Sequence, residues 1–113
     1  MNNLVSIIGR LTKDPELQTS ENDKSYSNIT LAIQRSYKNS EGIYDTDFIN
    51  TTLWEDQAKK ACEHCHKGDL LAIRGRLENY KDKEDNTRLK LVPEKIAFLG
   101  RTNIDKNKDD MER

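Results

Sequence analysis

The segment DFINTTLWEDQAKKACEHCHKGDLLAIRGRLENY, residues 47–80, decides how the fold is interpreted. Residues 47–54 and 69–80 alternate between apolar and polar side chains, which is typical of half-buried β-strands. Residues 54–67 follow helical spacing instead. We therefore predict a strand, a short helix and a second strand. The strand residues expected to face the core are Ile49, Thr51, Leu53, Leu71, Ile73 and Leu77.

The predicted helix carries one apolar stripe among charged residues. Gly68 follows the stripe, where a helix is expected to end. Cysteine at a core position behaves as a small hydrophobic residue, so we interpret both cysteines as packing residues. The residues of the stripe are Trp54, Ala58, Ala61, Cys62 and Cys65.

The same segment contains C-x-x-C-H, a pattern that is used to attach c-type haem. A haem site also needs a second axial ligand, an apolar pocket and export, and the sequence indicates none of them. For zinc, His64 and Cys62 would lie on nearly opposite sides of a helix, and no further Cys or His completes a tetrahedral set. We expect no metal and no other cofactor; a redox or metal function is the third-ranked alternative.

Working outward, residues 3–11, 27–37 and 88–100 also have strand character. Gly75 predicts a bulge or bend, and Pro93 restricts its strand to an edge or a bulge. Five strands with one short helix between the third and the fourth predict an all-β Greek-key barrel of the OB-fold type. Another small five-stranded barrel is the alternative.

Length and charge set limits on organisation and function. The chain has 113 residues, and we assign residues 1–100 to one domain and the polar residues 101–113 to a disordered tail. A net charge of -1 opposes indiscriminate binding to polyanions, so a nucleic-acid site needs local basic clusters. No leader-like or membrane-spanning run is found, which predicts a cytoplasmic protein. No phosphate loop, nucleophile motif or histidine outside the helix is present, so we expect no enzyme.

Aromatic residues alternate with basic residues at the ends and outer faces of the predicted strands. Single-stranded nucleic acids bind to such surfaces, because bases stack on aromatic rings while lysine and arginine neutralise phosphates. Neither contact selects a particular base, so sequence tolerance is expected. The alternative for Phe48 or Trp54 is a packing role, in which the ring caps the barrel or anchors the helix. The candidate nucleic-acid-binding residues are Tyr37, Phe48, Trp54, Tyr80, Arg10, Arg35, Lys38, Arg74 and Arg76.

Five motifs follow one another along residues 1–100: GRLTKDPEL (9–17), ITLAIQRSYKN (29–39), DFINTTLW (47–54), KGDLLAIRGRL (67–77) and EKIAFL (94–99). Together they resemble the bacterial and phage-type single-stranded DNA-binding protein family (SSB). The resemblance implies an OB barrel, a homotetramer wrapped by single-stranded DNA, and stacking aromatics that match Tyr37, Phe48 and Trp54 by motif position.

The chain departs from this family in two places. The segment between Leu77 and Leu89 is shorter than usual, so a trimmed hairpin is expected. The sequence ends in KNKDDMER without the acidic, apolar-tipped ending of cellular members, so tail-mediated recruitment of replication proteins is not expected.

These observations lead to one main hypothesis and one alternative. The main hypothesis is a sequence-tolerant single-stranded DNA-binding protein that coats and protects single strands during replication, recombination or repair. Its expected location is the cytoplasm, in association with the nucleoid. The alternative is an OB-fold protein-interaction module with weak affinity for nucleic acid.

Overall fold

The computed structural model of the chain describes residues 1–101. Its elements are β1 (Val5–Leu11), β2 (Gln18–Thr19), β3 (Ser25–Lys38), β4 (Tyr44–Trp54), α1 (Asp56–His64), β5 (Leu70–Lys81) and β6 (Thr87–Gly100). Apart from Arg101, the tail predicted for residues 101–113 lies outside the described residues. Within residues 1–101, no helix is long and apolar enough to cross a membrane.

The strands close into a barrel of the OB type. Neighbouring strands follow the order β1-β5-β6-β4-β3, and an additional pairing of β1 with β3 completes the ring. The pairing of β4 with β6, at Thr51 and Leu91, is parallel, and the others in the ring are antiparallel. With α1 between β4 and β5, this arrangement confirms the predicted all-β fold. The two-residue strand β2, which pairs with β3, was not predicted, since so short a segment has no detectable periodicity.

The core is built from the alternating faces of the strands. Strand β4 buries Thr51 and Leu53 as predicted, and Ile49 packs against the core from a half-buried position. From β5, Leu71 and Ile73 are fully buried. Helix α1 contributes its own apolar stripe. The buried hydrophobic residues are Leu11, Ile29, Leu31, Leu53, Ala58, Ala61, Cys65, Leu71, Ile73 and Leu91.

The predicted helix was too long at both ends. It begins at Asp56, because Glu55 adopts a φ of 53° and ψ of -123°, which a helix does not accommodate. Trp54 therefore ends β4 and is not part of the helical stripe, which was predicted wrongly on this point. At the other end, Cys65 is already extended and Gly68, with a φ of 88°, lies in the turn that leads into β5.

Strands β5 and β6 continue past the barrel as a two-stranded ribbon. We call residues 78–81 and 87–90 the β5–β6 arm; they pair with each other from Glu78 and Lys90 to Lys81 and Thr87. The predicted bulge is found at Gly75, where an added Cβ would lie 2.0 Å from the backbone oxygen of Val92. Since β1 pairs with β5 only as far as Gly75, Leu77 lies beyond the core. It is 40% exposed, so its predicted core position was wrong.

Candidate nucleic-acid interface

Strands β3 and β4 form a continuous outer surface with an aromatic ring at each end. Their ladder pairs Ala32 with Phe48 at one end and Tyr26 with Trp54 at the other. Phe48 is 63% exposed and Trp54 is 48% exposed, on the face opposite the core. The two residues are six positions apart on an extended strand, which corresponds to about 20 Å. The alternation of β4 therefore places two aromatic platforms outside the barrel.

Trp54 is partly supported by a neighbouring ring. Its centroid lies 5.2 Å from that of Tyr26, and the two ring planes are inclined by 37°. Tilted aromatic pairs at this separation are favourable packing arrangements. Trp54 thus packs on the surface with part of its ring area left exposed, rather than packing inside the barrel.

A groove runs between this surface and the β5–β6 arm. It has a volume of about 970 Å³ and is lined by Phe48, Trp54 and Tyr80 together with Lys13 and Lys90. The Nζ atom of Lys90 lies 5.8 Å from the centroid of Tyr80, a distance typical of a cation–π contact. Three of the four predicted aromatics are therefore brought to one groove, and two lysines that were not predicted line the same groove.

The floor of the groove is polar between the two platforms. The hydroxyl of Thr30 donates to Oδ1 of Asn50 at 2.5 Å, and the hydroxyl of Thr52 donates to Oδ1 of Asn28 at 2.7 Å. Both hydrogen bonds cross from β3 to β4, where the paired residues lie directly opposite each other. The aromatic platforms are thus joined by a fixed polar surface.

Tyr37 and Lys38 lie away from this groove, near the tip of the β3–β4 hairpin. Tyr37 is exposed, and the Nζ atom of Lys38 lies 5.7 Å from the ring centroid of Tyr44. The side-chain oxygen of Asn39 accepts hydrogen bonds from the backbone N–H groups of Glu41 and Ile43. These contacts hold the tip in shape. The hairpin therefore presents a separate exposed surface that is not part of the groove lining.

Arg35 is bound by carboxylates on the neighbouring strand. Its Nε and NH2 groups donate to Asp47 at 3.0 and 2.9 Å, and its NH1 lies 3.8 Å from Asp45. The hydrogen bond with Asp47 raises the pKa of Arg35 and lowers the pKa of Asp47. A phosphate would have to compete with these carboxylates for the guanidinium.

Arg76 is paired in the same way. It donates to Glu78 at 2.7 Å and to Glu94 at 2.9 Å, and the hydrogen bond with Glu78 raises the pKa of Arg76. Arg10 donates to the backbone oxygen of Gly68 at 3.0 Å, which ties β1 to the turn after the helix. Arg74 is exposed on β5, opposite Ser6 and Lys95, and not in the groove lining. The structure does not bring the predicted arginines together with the groove aromatics.

The cysteines and histidines of the C-x-x-C-H pattern lie around the end of α1. Cys65 is buried, which raises the pKa of its thiol, whereas Cys62 is half-buried and His64 and His66 are exposed. The part of the chain that the structure describes contains no group of three or more His, Cys, Asp and Glu residues able to hold a metal ion. The burial of Cys65 agrees with the packing interpretation.

A closed five-stranded barrel with an open groove of exposed rings defines the class of OB-fold binding domains. Comparison with known proteins identifies the family: the family model described as "Single-strand binding protein family" matches residues 2–99. The chain belongs to this family.

Individual relatives agree with the family match. The "Single-stranded DNA-binding protein 1" of Staphylococcus aureus (strain MSSA476) is 36% identical over 98% of this chain and 74% of its own length. The "Single-stranded DNA-binding protein B" of Bacillus subtilis (strain 168) is 38% identical over 74% of this chain and 76% of its own length. The similarity therefore extends over the barrel and the β5–β6 arm.

Proposed function

We propose that this protein binds single-stranded DNA with little dependence on sequence. It would coat and protect single strands during DNA replication, recombination or repair. The observation that carries the proposal is the groove in which the exposed rings of Phe48, Trp54 and Tyr80 share one surface with Lys13 and Lys90. The names of the relatives and of the family support the choice of ligand.

The proposed mechanism combines stacking with charge neutralisation. Each base that stacks on an exposed ring contributes about 1–3 kcal/mol, and the groove requires the bases to be unpaired and splayed. Lysines beside the rings neutralise phosphates of the bound strand. The proposed contacts are Lys13 and Lys90, with the sequence-based candidates Tyr37, Phe48, Trp54, Tyr80, Arg10, Arg35, Lys38, Arg74 and Arg76.

Fluorescence anisotropy with a labelled dT oligonucleotide tests this proposal, with a duplex of the same length as the comparison. Saturable binding to the single strand that weakens as salt is added is the expected result, together with much weaker binding to the duplex. Equal affinity for both, or no binding to either, would reject it. Absence of binding to either oligonucleotide would instead favour the protein-interaction module.

The salt dependence of binding should be carried by the groove lysines. Arg35 and Arg76 already form ion pairs with carboxylates. Because a phosphate would only replace a carboxylate at these guanidinium groups, we expect them to contribute little to the salt dependence. We expect Lys90→Gln to weaken binding and to reduce the slope of log Kobs against log salt by about 0.7, the value for one phosphate contact on a single strand. Titrations at several salt concentrations measure this slope.

The control for that measurement is Lys60→Gln, on the exposed side of α1 and outside the groove. It removes the same charge and should leave the slope close to that of the parent protein. An unchanged slope in Lys90→Gln, or equal changes in both variants, would remove Lys90 from the interface.

The active form is proposed to be a homotetramer, which the family resemblance implies. Support comes from the outer face of β1, β5 and β6, where Ile8 is 52% exposed and lies in register with Ala72 and Ala97. Leu4 and Leu99 are exposed as well. An apolar face of this kind marks a protein contact more often than a solvent-facing surface.

Introducing a charge at this face should break the assembly. Ile8→Asp would bury a carboxylate in an apolar contact, so we expect a smaller mass than that of the parent tetramer. Light scattering coupled to gel filtration measures the mass. The matched control is Ile43→Asp, equally apolar and exposed but at the β3–β4 hairpin, which should leave the mass unchanged. A monomeric parent, or no change in Ile8→Asp, would contradict this assignment.

We also propose the domain bounds, the cellular location and the type of activity. Residues 1–100 are proposed as the DNA-binding domain, which agrees with the residues of the family match. The cytoplasm, where bacterial DNA is replicated and repaired, is the proposed location. Binding rather than catalysis is the proposed activity.

A further inference from the structure

The β5–β6 arm projects beyond the barrel, and backbone pairing with the neighbouring strands ends at its base. In the described part of the chain, β1 pairs with β5 only as far as Gly75, and β4 pairs with β6 only at Thr51 and Leu91. A ribbon of two strands is at best marginally stable by itself in water. The direction in which the arm points therefore depends on contacts made where it leaves the barrel, at Leu77 and Leu91.

Asn3 holds β5 at the base of the arm, on the edge where the pairing with β1 has ended. Its Nδ2 donates to the backbone oxygen of Leu77 at 2.8 Å, and its Oδ1 accepts from the backbone N–H of Leu77 at 2.9 Å. In the antiparallel register that pairs Val5 with Gly75, residue 3 falls opposite residue 77. The carboxamide of Asn3 thus takes the place of the next backbone pair between β1 and β5.

Thr51 holds β6 at the opposite edge of the same base. Its buried hydroxyl donates to the backbone oxygen of Leu91 at 2.8 Å. Farther along β6, Nε2 of Gln57 donates to the backbone oxygen of Glu94 at 3.2 Å. Pro93 lies between these two bonds and has no N–H to donate to a neighbouring strand. Side chains therefore hold β6 where its backbone pairing with β4 ends.

The orientation of the arm decides which groups reach the groove. Tyr80 and Lys90 belong to the arm, whereas Phe48 and Trp54 lie on β4. The two walls of the groove are thus carried by different parts of the fold. Molecules whose arm turned away would keep the platforms of β4 and lose the contacts of Tyr80 and Lys90. The apparent dissociation constant rises as the fraction of molecules with a complete groove falls.

We propose that Asn3 and Thr51 are positioning residues for DNA binding, which hold the β5–β6 arm from its two edges so that Tyr80 and Lys90 stay in the groove. This inference rests on the proposed function. Asn3 lies outside the groove lining, and the hydroxyl of Thr51 is directed to Leu91. Their effect on affinity passes through the arm and not through a contact of their own with the bound strand.

The first measurement is the affinity of single variants for a labelled dT oligonucleotide. Thr51→Val keeps the shape of the side chain without its hydroxyl, and we expect roughly threefold weaker binding from the loss of one neutral hydrogen bond. Asn3→Ala loses two hydrogen bonds and should weaken binding roughly fivefold. Thr51→Ser keeps the hydroxyl and should bind like the parent protein. The control for Asn3→Ala is Asn2→Ala, at the adjacent exposed position, which should also bind like the parent.

A double-mutant cycle separates positioning from a general loss of stability. The same substitutions are made in a protein that already carries Tyr80→Ala and Lys90→Gln, whose arm no longer supplies these two groove contacts. Thr51→Val and Asn3→Ala should then cause little further loss of affinity, because the orientation of the arm no longer matters. A merely structural role would give the same fold loss in both backgrounds. Melting temperatures show whether each variant is folded at the temperature of the titrations.

Two results would overturn this inference and leave the proposed function in place. In the first, the parent binds dT, but Thr51→Val or Asn3→Ala binds it as tightly as the parent does. In the second, both variants lose the same factor in affinity with and without the side chains of Tyr80 and Lys90. If the parent does not bind dT, the proposed function itself fails, and the inference with it.

Discussion

Trp54→Ala should reduce affinity for a dT oligonucleotide by about 1–3 kcal/mol, which corresponds to a loss of roughly fivefold to 150-fold. The physical reason is the loss of a stacking platform that is 48% exposed at one end of the groove. Since the ring lies outside the barrel core, the variant should remain folded. Equilibrium titration of a labelled oligonucleotide measures the affinity, and thermal unfolding measures the stability.

The packing contact with Tyr26 gives this prediction a competing explanation. A tilted aromatic pair contributes about 0.5–1.5 kcal/mol, so a small decrease in stability is expected even if Trp54 binds DNA. Phe98→Ala serves as the control, because Phe98 is also an exposed aromatic ring but is not in the groove lining. It should leave affinity unchanged. A fall in stability for Trp54→Ala that fully accounts for lost binding would assign the ring to packing instead.

Leu53→Ala should lower the stability and leave the affinity for DNA unchanged, the opposite of Trp54→Ala, although Leu53 is the immediate neighbour of Trp54. Leu53 is fully buried, so its truncation leaves a cavity and should cost about 2–5 kcal/mol of unfolding free energy. Denaturant unfolding measures this loss. Affinity for dT, determined under conditions in which the variant is folded, should match that of the parent because the side chain does not reach the groove.

The control for this second prediction is Phe48→Ala, which removes a larger side chain from the outer face of the same strand. It should weaken binding and change the unfolding free energy by less than Leu53→Ala does. Comparable losses of stability in both variants would show that the two faces of β4 are not separated into core and binding surface.

The sequence predicted the structure well where a single strand carried both core-facing apolar residues and outward-facing aromatic residues. In β4, strict alternation predicted that Thr51 and Leu53 face inward and that Phe48 and Trp54 face outward, and the structure agrees. The OB-type barrel was also predicted correctly from the number of strands and the place of the helix. These features depend on local spacing, which can be read from a single chain.

Features that depend on neighbouring strands were missed. Lys90 enters the groove only because the β5–β6 arm extends beyond the barrel, and the same extension exposes Leu77. The partners of Arg35 and Arg76 include Asp47 and Glu94, which lie on adjacent strands and are distant in sequence. A pattern of charges along one strand does not reveal such pairing. The predicted cationic surface is therefore more strongly neutralised than the sequence indicated.

The local backbone also decided details that periodicity could not. The helical spacing of Trp54 with Ala58 and Ala61 suggested a longer helix, but Glu55 turns the chain sharply between β4 and α1. Its backbone N–H donates to the oxygen of Ser25, and its carboxylate accepts from the N–H of Ser25, both at 2.8 Å. These bonds hold the end of the β3–β4 ladder beside Tyr26 and Trp54. This turn therefore helps to set the position of the Trp54 ring at the end of β4.

Binding in the proposed groove requires bases to lie against rings that face outward from the barrel. Trp54 is the only tryptophan in the chain, so the intrinsic fluorescence of the protein at tryptophan wavelengths reports on this one ring. Titration with a dT oligonucleotide should quench that emission along a saturable curve, and added salt should reverse the quenching. Saturated binding with unaltered Trp54 emission would contradict stacking at this position, and with it the proposed groove.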